Sequence, residues 1–307
     1  MSRRRVATGL SGILPVDKPA GMTSHDVVNV VRRATGERRV GHAGTLDPLA
    51  TGLLVLLVGP ATRLAPWFTA AEKTYEARIV FGWETDTDDA EGGETRSAAV
   101  PPDLADPARA RTVVEALVGT HVQVPPAYSA IKVGGRTAHR IARAGGEVAL
   151  ESRTIVVSTS RLLGVVAGPP VAWDLELSVS KGTYIRALAR DLGRSLGSAA
   201  HLGALRRTRS GSLGIADAVT IEQIESAGRD VSTLFANPVA ALGLPLVAVD
   251  THAAALVSHG ASLPSGDESG TSTEGHVAIV HEGRLMAVYE RESAYLRPVT
   301  VIPGGVG

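Results

Sequence analysis

The apolar positions of this chain recur with two different periods, and the change of period marks the elements. Thr23-Ser-His-Asp reads as a helix start, with Thr23 or Ser24 as N-cap and Asp26 in the first turn. Val27, Val30, Val31 and Ala34 follow at helical spacing until Gly36. Leu53 to Val58 is an unbroken apolar run closed by Gly59-Pro60, the pattern of a buried strand. From Tyr75 to Phe81 the pattern alternates, with Tyr75, Ala77, Ile79 and Phe81 on one face and Glu76, Arg78 and Val80 on the other. Asp106-Pro107 opens a second helix with Val113, Val114 and Leu117 on its apolar side and Gly119 as its stop. Val171 to Val179 alternates like a strand. Thr183 then caps a third helix carrying Ile185, Leu188, Leu192 and Leu196 before Gly197.

Residues 124–152 break this regularity. They hold Pro125-Pro126, two glycine pairs and a basic helical stretch from Arg136 to Arg143, a composition suited to a protruding lobe rather than a core segment. Beyond Leu246 short alternating strands are expected at Val277–Val280, Leu285–Tyr289 and Val299–Ile302, after a Ser/Gly/Thr-rich loop at Ser265–Gly275. Helices and strands mix without strict βαβ alternation. The expectation is therefore an α+β fold: a mixed, largely antiparallel sheet domain with flanking helices at 1–245, the lobe at about 124–152, and a small β-rich domain at 246–307.

Composition narrows the chemistry. The chain has 307 residues and no Cys, which excludes thiolate metal sites, disulfides and a thiol nucleophile. No apolar run approaches the length of a membrane span, and no secretory signal follows the basic N-terminus, so a cytoplasmic protein without a membrane partner is expected. Formal net charge is zero, with 31 basic and 31 acidic side chains, but the balance is uneven along the chain. Residues 1–40 carry +5, residues 123–161 carry +4 and residues 180–214 carry +6, whereas 84–106 carry −7 and 245–307 carry −4. Clustered Arg and Lys suit a polyanion, because each one placed at a phosphate releases counterions. One positive face on an otherwise acidic surface is the expectation.

The segment from Gly41 to Gly52 holds three glycines, His42 and Asp47 directly before the apolar strand. Pro48 biases Asp47 toward extended backbone. A carboxylate fixed there is either a turn cap or a nucleophile or general base. The acidic stretch Asp86 to Gly92 lacks the ligand spacing of a calcium loop, since Ala90 and Glu91 stand at its fifth and sixth positions; it is expected to be a solvated loop. The remaining histidines have no metal-like spacing.

Four strings occur in order: Gly12–Ser24 with Asp17-Lys18-Pro19, Val40–Asp47 with Gly41-His42-Ala43-Gly44, Lys73–Ala77 and Gly182–Arg186. Together they resemble the TruB family of bacterial tRNA pseudouridine synthases from about Gly12 to Asp217, including that family's thumb-like insertion at Pro125–Ser152 and the segment His201–Arg207, and Leu296–Val301 resembles the end of a PUA-type RNA-binding domain. The resemblance implies isomerisation of the T-loop uridine at position 55 of tRNA, with base flipping and no cofactor or metal. It puts the catalytic aspartate on Asp47, the tyrosine that packs on the target base on Tyr75, and the arginine that pairs with the aspartate on Arg186. It further implies pocket roles for His42, Tyr184, Lys18 and Leu205.

Lys132, Arg136, His139, Arg140, Arg143, Arg190, Arg194, Arg206 and Arg207 are candidates for the RNA backbone. The implied partner is the T arm of tRNA, gripped by a monomer without an obligatory protein partner. Alternatives are an RNA-binding or RNA-folding protein with an idle site, or a related synthase with another RNA target. A glycosidase would want a second catalytic acid in a partner motif, and none is apparent. The −4 charge of the C-terminal segment departs from what an RNA-gripping module should carry.

Overall fold

A computed structural model of the chain describes residues 8–129, 131–146, 149–265, 275–292 and 294–307. They form two compact units, one comprising Met1–Pro48, Gly52–Ala71 and Arg209–Gly307, the other Leu49–Thr51 and Glu72–Thr208. The architecture is the expected α+β mixture of mainly antiparallel strands with flanking helices and a separate, smaller C-terminal sheet.

In the first unit the strand Gly12–Lys18 runs antiparallel to Thr51–Val58, from Gly12 opposite Val58 to Lys18 opposite Gly52. Val40–His42 pairs with the same strand, His42 opposite Leu56. Leu53 to Val58 are all buried, which accounts for the unbroken apolar run: both faces of this strand are covered. The helix Ser24–Thr35 starts at Thr23, whose side chain and that of Asp26 cap each other's backbone, and it stops at Gly36 with φ 73°.

The C-terminal sheet orders its strands Leu246–Ala248, Gly275–His281, Arg284–Arg291, Tyr295–Val306 and Leu263–Pro264, with the helix Thr251–Ser258 beside them. Its first pair is parallel and the others antiparallel. All three strands expected here are present. Most of the expected loop Ser265–Gly275 lies outside the described residues. Ala278, Val280, Leu285, Val288 and Ile302 share one core with Ile13, Leu53, Val55, Leu57 and Leu64. The Trp67 indole adds a hydrogen bond of 3.0 Å to Thr300 Oγ1 and Arg63 one of 2.8 Å to the Val301 carbonyl.

In the second unit the strand order is Ala200–Ser210, Lys73–Phe81, Ala172–Val179, Arg153–Val166, Gly119–Gln123. Lys73–Phe81 faces Ala172–Val179 with Tyr75 opposite Leu177 and Ile79 opposite Trp173. The predicted inward face is correct for Ala77, Ile79 and Phe81, which pack with Trp173, Leu175, Ile185, Leu188 and Leu192. Val80, expected outside, is also buried. The helices Pro107–Glu115 and Ile185–Ser195 contribute Val114, Leu188 and Leu192 to that core.

The third helix begins one residue later than its sequence suggested. Its N-cap is Tyr184, and the Thr183 hydroxyl instead donates to the Ser180 carbonyl at 2.9 Å. Gln123 stands in for the missing cap: its Oε1 accepts from Tyr184 N at 2.9 Å and its Nε2 donates to Tyr184 O at 3.1 Å. Within the inserted segment a hairpin of Lys132–Val133 and Arg136–Thr137 leads into the helix Ala138–Arg143, so the basic stretch is part strand, part helix. Among the described residues no helix is long and apolar enough to cross a membrane.

Candidate active site

The loop carrying Asp47 is anchored on both sides of that residue. Ser24, one position inside its helix, is turned inward: its Oγ donates to Leu46 O at 3.0 Å and accepts from Leu46 N at 2.8 Å. On the other side, Pro48 O accepts from Gly21 N at 2.9 Å. Lys18, fully buried, donates from Nζ to Met22 O at 2.7 Å and Pro19 O at 2.9 Å, with Pro48 O at 3.4 Å. A lysine at the end of a buried strand thus ties the turn at 19–22 to the loop, its charge met by carbonyl dipoles. Ala43 N donates to Val55 O at 2.9 Å, which seats the start of the loop beside His42. Asp47 and His42 are half-buried. Gly44 (φ 117°) allows a left-handed turn that a side chain would resist.

The second unit holds the other expected residues. Tyr75 and Leu205 are half-buried and flank the same apolar core. The guanidinium of buried Arg207 lies 6.0 Å from the Tyr75 ring centroid, at the outer limit of a cation–π contact. Lys73, two residues from Tyr75, is buried, and burial first, then the charges of Arg207 and Lys181, lower its pKa to about 8. Tyr184 is half-buried, with the Arg153 guanidinium 5.5 Å from its ring centroid. Leu205 also lines an open cleft of about 440 Å³ with Leu49, Thr51, Arg78 and Arg206; Arg206 reaches Thr51 Oγ1 at 3.4 Å.

Arg186 is buried. Its Nη1 donates to Thr87 O at 2.7 Å, its Nη2 to Tyr128 O at 3.0 Å, and Nε lies 3.6 Å from Asp89 Oδ2. The loop it reaches, Asp86–Gly92, is expected to be solvated; Asp86 and Glu91 are exposed, but Asp88 and Asp89 are buried, and for these two the expectation is corrected. Glu84, Asp88 and Asp89 are 3, 7 and 3 % exposed. Their partners are the arginines of the helix Ile185–Ser195. Arg190 Nη1 meets Asp88 Oδ2 at 2.7 Å, and Arg194 grips Glu84 with two bonds of 2.9 and 2.6 Å. Arg194 and Arg96 hold the Glu84 carboxyl below the usual range against the opposing effect of burial.

Arg186, Arg190 and Arg194 stand at i, i+4 and i+8, so all three side chains leave one face of the helix. Much of the negative segment and of the third positive segment therefore neutralise each other.

The thumb-like insertion contrasts with this. Lys132, Arg136, Arg140 and Arg143 are exposed. His139 is half-buried and sits with Nδ1 3.3 Å from Ser129 O and Nε2 3.4 Å from Thr137 Oγ1. Ser24 and Gln123 were not singled out for the site, because a helix-start serine and an isolated glutamine carry no local signal of their long-range partners.

Comparison with known proteins bears on the identity. Residues 32–185 match the model of the TruB family pseudouridylate synthase N-terminal domain, and residues 186–235 that of the tRNA pseudouridylate synthase B C-terminal domain. The chain is 44% identical over 298 residues to the tRNA pseudouridine synthase B of Thermobifida fusca, covering 95% of this chain and 99% of that one. It is 42% identical over 311 residues to the enzyme of that name from Mycobacterium tuberculosis, covering 97% and 99%. In fold it is similar to the structure described as the archaeal box H/ACA sRNP Nop10-Cbf5 complex, with a TM-score of 0.67 at 24% identity, covering 95% of this chain and 86% of that chain. The matched domains and the 42–44% identity to these relatives over nearly their full length place the chain in the TruB family of pseudouridine synthases.

Proposed function

We propose that this chain is an isomerase that converts the T-loop uridine at position 55 of tRNA to pseudouridine, with Asp47 as its nucleophile. The family membership supports the reaction, and the observation that carries the assignment of Asp47 is the fixing of Leu46 and Pro48 on either side of it. A carboxylate that must meet one atom of a bulky substrate benefits from a loop that cannot drift, because misplacement by about 1 Å can cost on the order of a hundredfold in rate.

The uridine sits in a folded loop and must be flipped out, at a cost of a few kcal/mol. Asp47 adds to C1′ or to C6, the N1–C1′ bond breaks, and the freed uracil turns within the closed pocket. C5 then bonds to C1′, the bond from Asp47 to the substrate breaks and its carboxylate is regenerated, C5 loses its proton, and N1 gains one. Atoms and electrons balance within the substrate, so the reaction needs neither redox cofactor nor group donor.

Tyr75 packs on the target base and is the candidate acceptor of the C5 proton. Arg186 keeps Asp47 ionised, Tyr184 and Leu205 line the base pocket, and His42 occupies the space vacated by the flipped base. Lys18 acts through the loop rather than on the substrate. The exposed Lys132, Arg136, Arg140 and Arg143, with His139 among them, take the phosphates of the T arm; Arg206 lines the cleft beside Leu205, and Arg207, buried beside Tyr75, is not available to the RNA backbone. Arg190 and Arg194 are bound to carboxylates and serve the protein's own loop instead.

Residues 1–245 form the catalytic domain and 246–307 a PUA-like domain in this reading. The protein works in the cytoplasm as a monomer.

Unmodified tRNA transcript incubated with the protein and probed by carbodiimide-dependent primer extension tests the reading. A stop at the T-loop uridine is expected with the wild type and none with Asp47→Ala. No stop with the wild type refutes the activity, and a stop that survives Asp47→Ala refutes the nucleophile. Binding without modification would mark an RNA-folding protein instead.

A further inference from the structure

Arg186 and Arg190 lie one helical turn apart and make the same kind of bridge. Each guanidinium touches the acidic loop with one nitrogen and the base of the thumb-like insertion with the other. Arg186 joins Thr87 O (2.7 Å) to Tyr128 O (3.0 Å). Arg190 joins Asp88 Oδ2 (2.7 Å) to Val124 O (2.9 Å). The planar fork of arginine suits this two-sided contact, and a lysine could not reproduce it.

The acidic loop is itself held in an unusual form. Asp88 has φ 61°, and its carbonyl accepts from Leu202 N at 3.0 Å, so its side chain is delivered to Arg190 by a left-handed turn fixed at both ends. The hydroxyl of Tyr128, the residue whose carbonyl receives Arg186, is pushed up in pKa by burial first and then by the neighbouring Asp86. The loop, the thumb base and the helix face thus close into one polar ring around Arg186.

We propose that Asp88 and Arg190 are a positioning pair that fixes the guanidinium of Arg186 and links the seating of the thumb-like insertion to the chemical step. The inference rests on the proposed role of Arg186. Arg190 makes no contact with RNA in this scheme. Its work is to hold the Val124 end of the insertion at the distance at which Tyr128 O can receive Arg186.

The charged groups acting on the Asp88 carboxyl are Arg190, Arg186, Arg194 and Asp191, all from the helix, while Asp89 and Glu84 pair with Arg186 and Arg194. Burial outweighs the three arginines and moves its pKa up to about 6. A proton gained there neutralises the carboxylate and leaves the Arg190 guanidinium charged, so the ion pair is lost and the contact weakens. The coupling therefore weakens as pH falls through about 6.

Asp88→Asn is the informative variant, because asparagine tolerates a positive φ as well as aspartate does and keeps the shape. Single-turnover pseudouridine formation at saturating tRNA is measured from pH 5 to 8, with tRNA Kd and thermal midpoint measured in parallel. The variant is expected to be roughly ten- to hundredfold slower than wild type at pH 7.5, to lose the acid limb of the wild-type profile near pH 6, and to keep the wild-type Kd. Arg190→Lys is expected to be slowed similarly with its fold retained.

An Asp88→Asn rate and profile equal to wild type overturn the proposal. So does a loss of rate that simply tracks loss of thermal stability and tRNA affinity. Arg186→Lys separates the two levels: if it is fully active, the role of Arg186 itself fails. If Arg186→Lys is inactive while Asp88→Asn is normal, only the positioning pair fails.

Discussion

Ser24 exchanges two hydrogen bonds with the backbone of Leu46, one donated and one accepted by the same buried hydroxyl. A serine in the first turn of a helix commonly faces solvent or caps it, and Thr23 already caps this one. The hydroxyl is free to hold the residue before Asp47, and the helix becomes the support of the Asp47 loop.

Ser24→Ala leaves the Leu46 N–H and C=O buried without this partner. Destabilisation of about 1–3 kcal/mol is expected, measurable by urea unfolding. Single-turnover pseudouridine formation should fall while tRNA Kd stays constant. A variant as active as wild type would show that the loop keeps its shape without this clamp.

Gln123 caps Tyr184 with both ends of its amide. Gln123→Glu removes the donor while keeping the acceptor, and its buried carboxylate then faces the Tyr184 carbonyl. A loss of about 1–3 kcal/mol in stability and slowed chemistry are expected. Gln123→Ala, which removes both bonds, should be no better. Chemical denaturation and single-turnover assays of the pair check this.

Lys73 links stability to pH. Its folded pKa of about 8 lies below its ordinary value of 10.5, so between these values the unfolded chain binds more protons than the folded one. Stability should therefore rise with pH across that window. The burial penalty, about 3 kcal/mol by the conversion of pKa shift to energy, is fully present below pH 8 and relieved above it. Lys73→Met should flatten this part of the profile in unfolding titrations from pH 7 to 10. An unchanged slope would place the linkage on another group.

The thumb-like insertion carries the exposed charge. Replacing Arg136, Arg140 and Arg143 together by alanine should weaken tRNA binding and make the salt dependence shallower, by about 0.9 in log–log slope for each duplex phosphate that is no longer neutralised. The single-turnover rate at saturating tRNA should stay near wild type. Filter binding from 50 to 300 mM salt (on the order of the range where counterion release is resolved) checks the slope. An unchanged slope would move the phosphate contacts elsewhere.

The periodicities named the principal elements because each was written locally. Thr23, Asp26 and Gly36 bound one helix through bonds to near neighbours, and the apolar run at 53–58, closed by Gly59-Pro60, has the length and composition of a covered strand. The Asp47 loop was legible from its glycines and proline together with the family motifs. Thr183 misled because its hydroxyl found a nearer carbonyl at Ser180, while the true cap, Gln123, came from a distant strand.

The charge pattern shows the division best. By itself the sequence determined that basic and acidic residues are segregated along the chain, where the family motifs stand, and that residues 124–152 carry exposed-type basic composition. Only the tertiary structure decided which charges remain available. Asp88 and Arg190 are 102 positions apart in the chain, yet they meet at 2.7 Å. Such pairing obeys no sequence spacing: it exists because the sheet brings the acidic loop against the helix Ile185–Ser195, where a buried carboxylate without a cation would cost several kcal/mol. The net charge of a segment counts ions, and the fold determines which of them face an RNA.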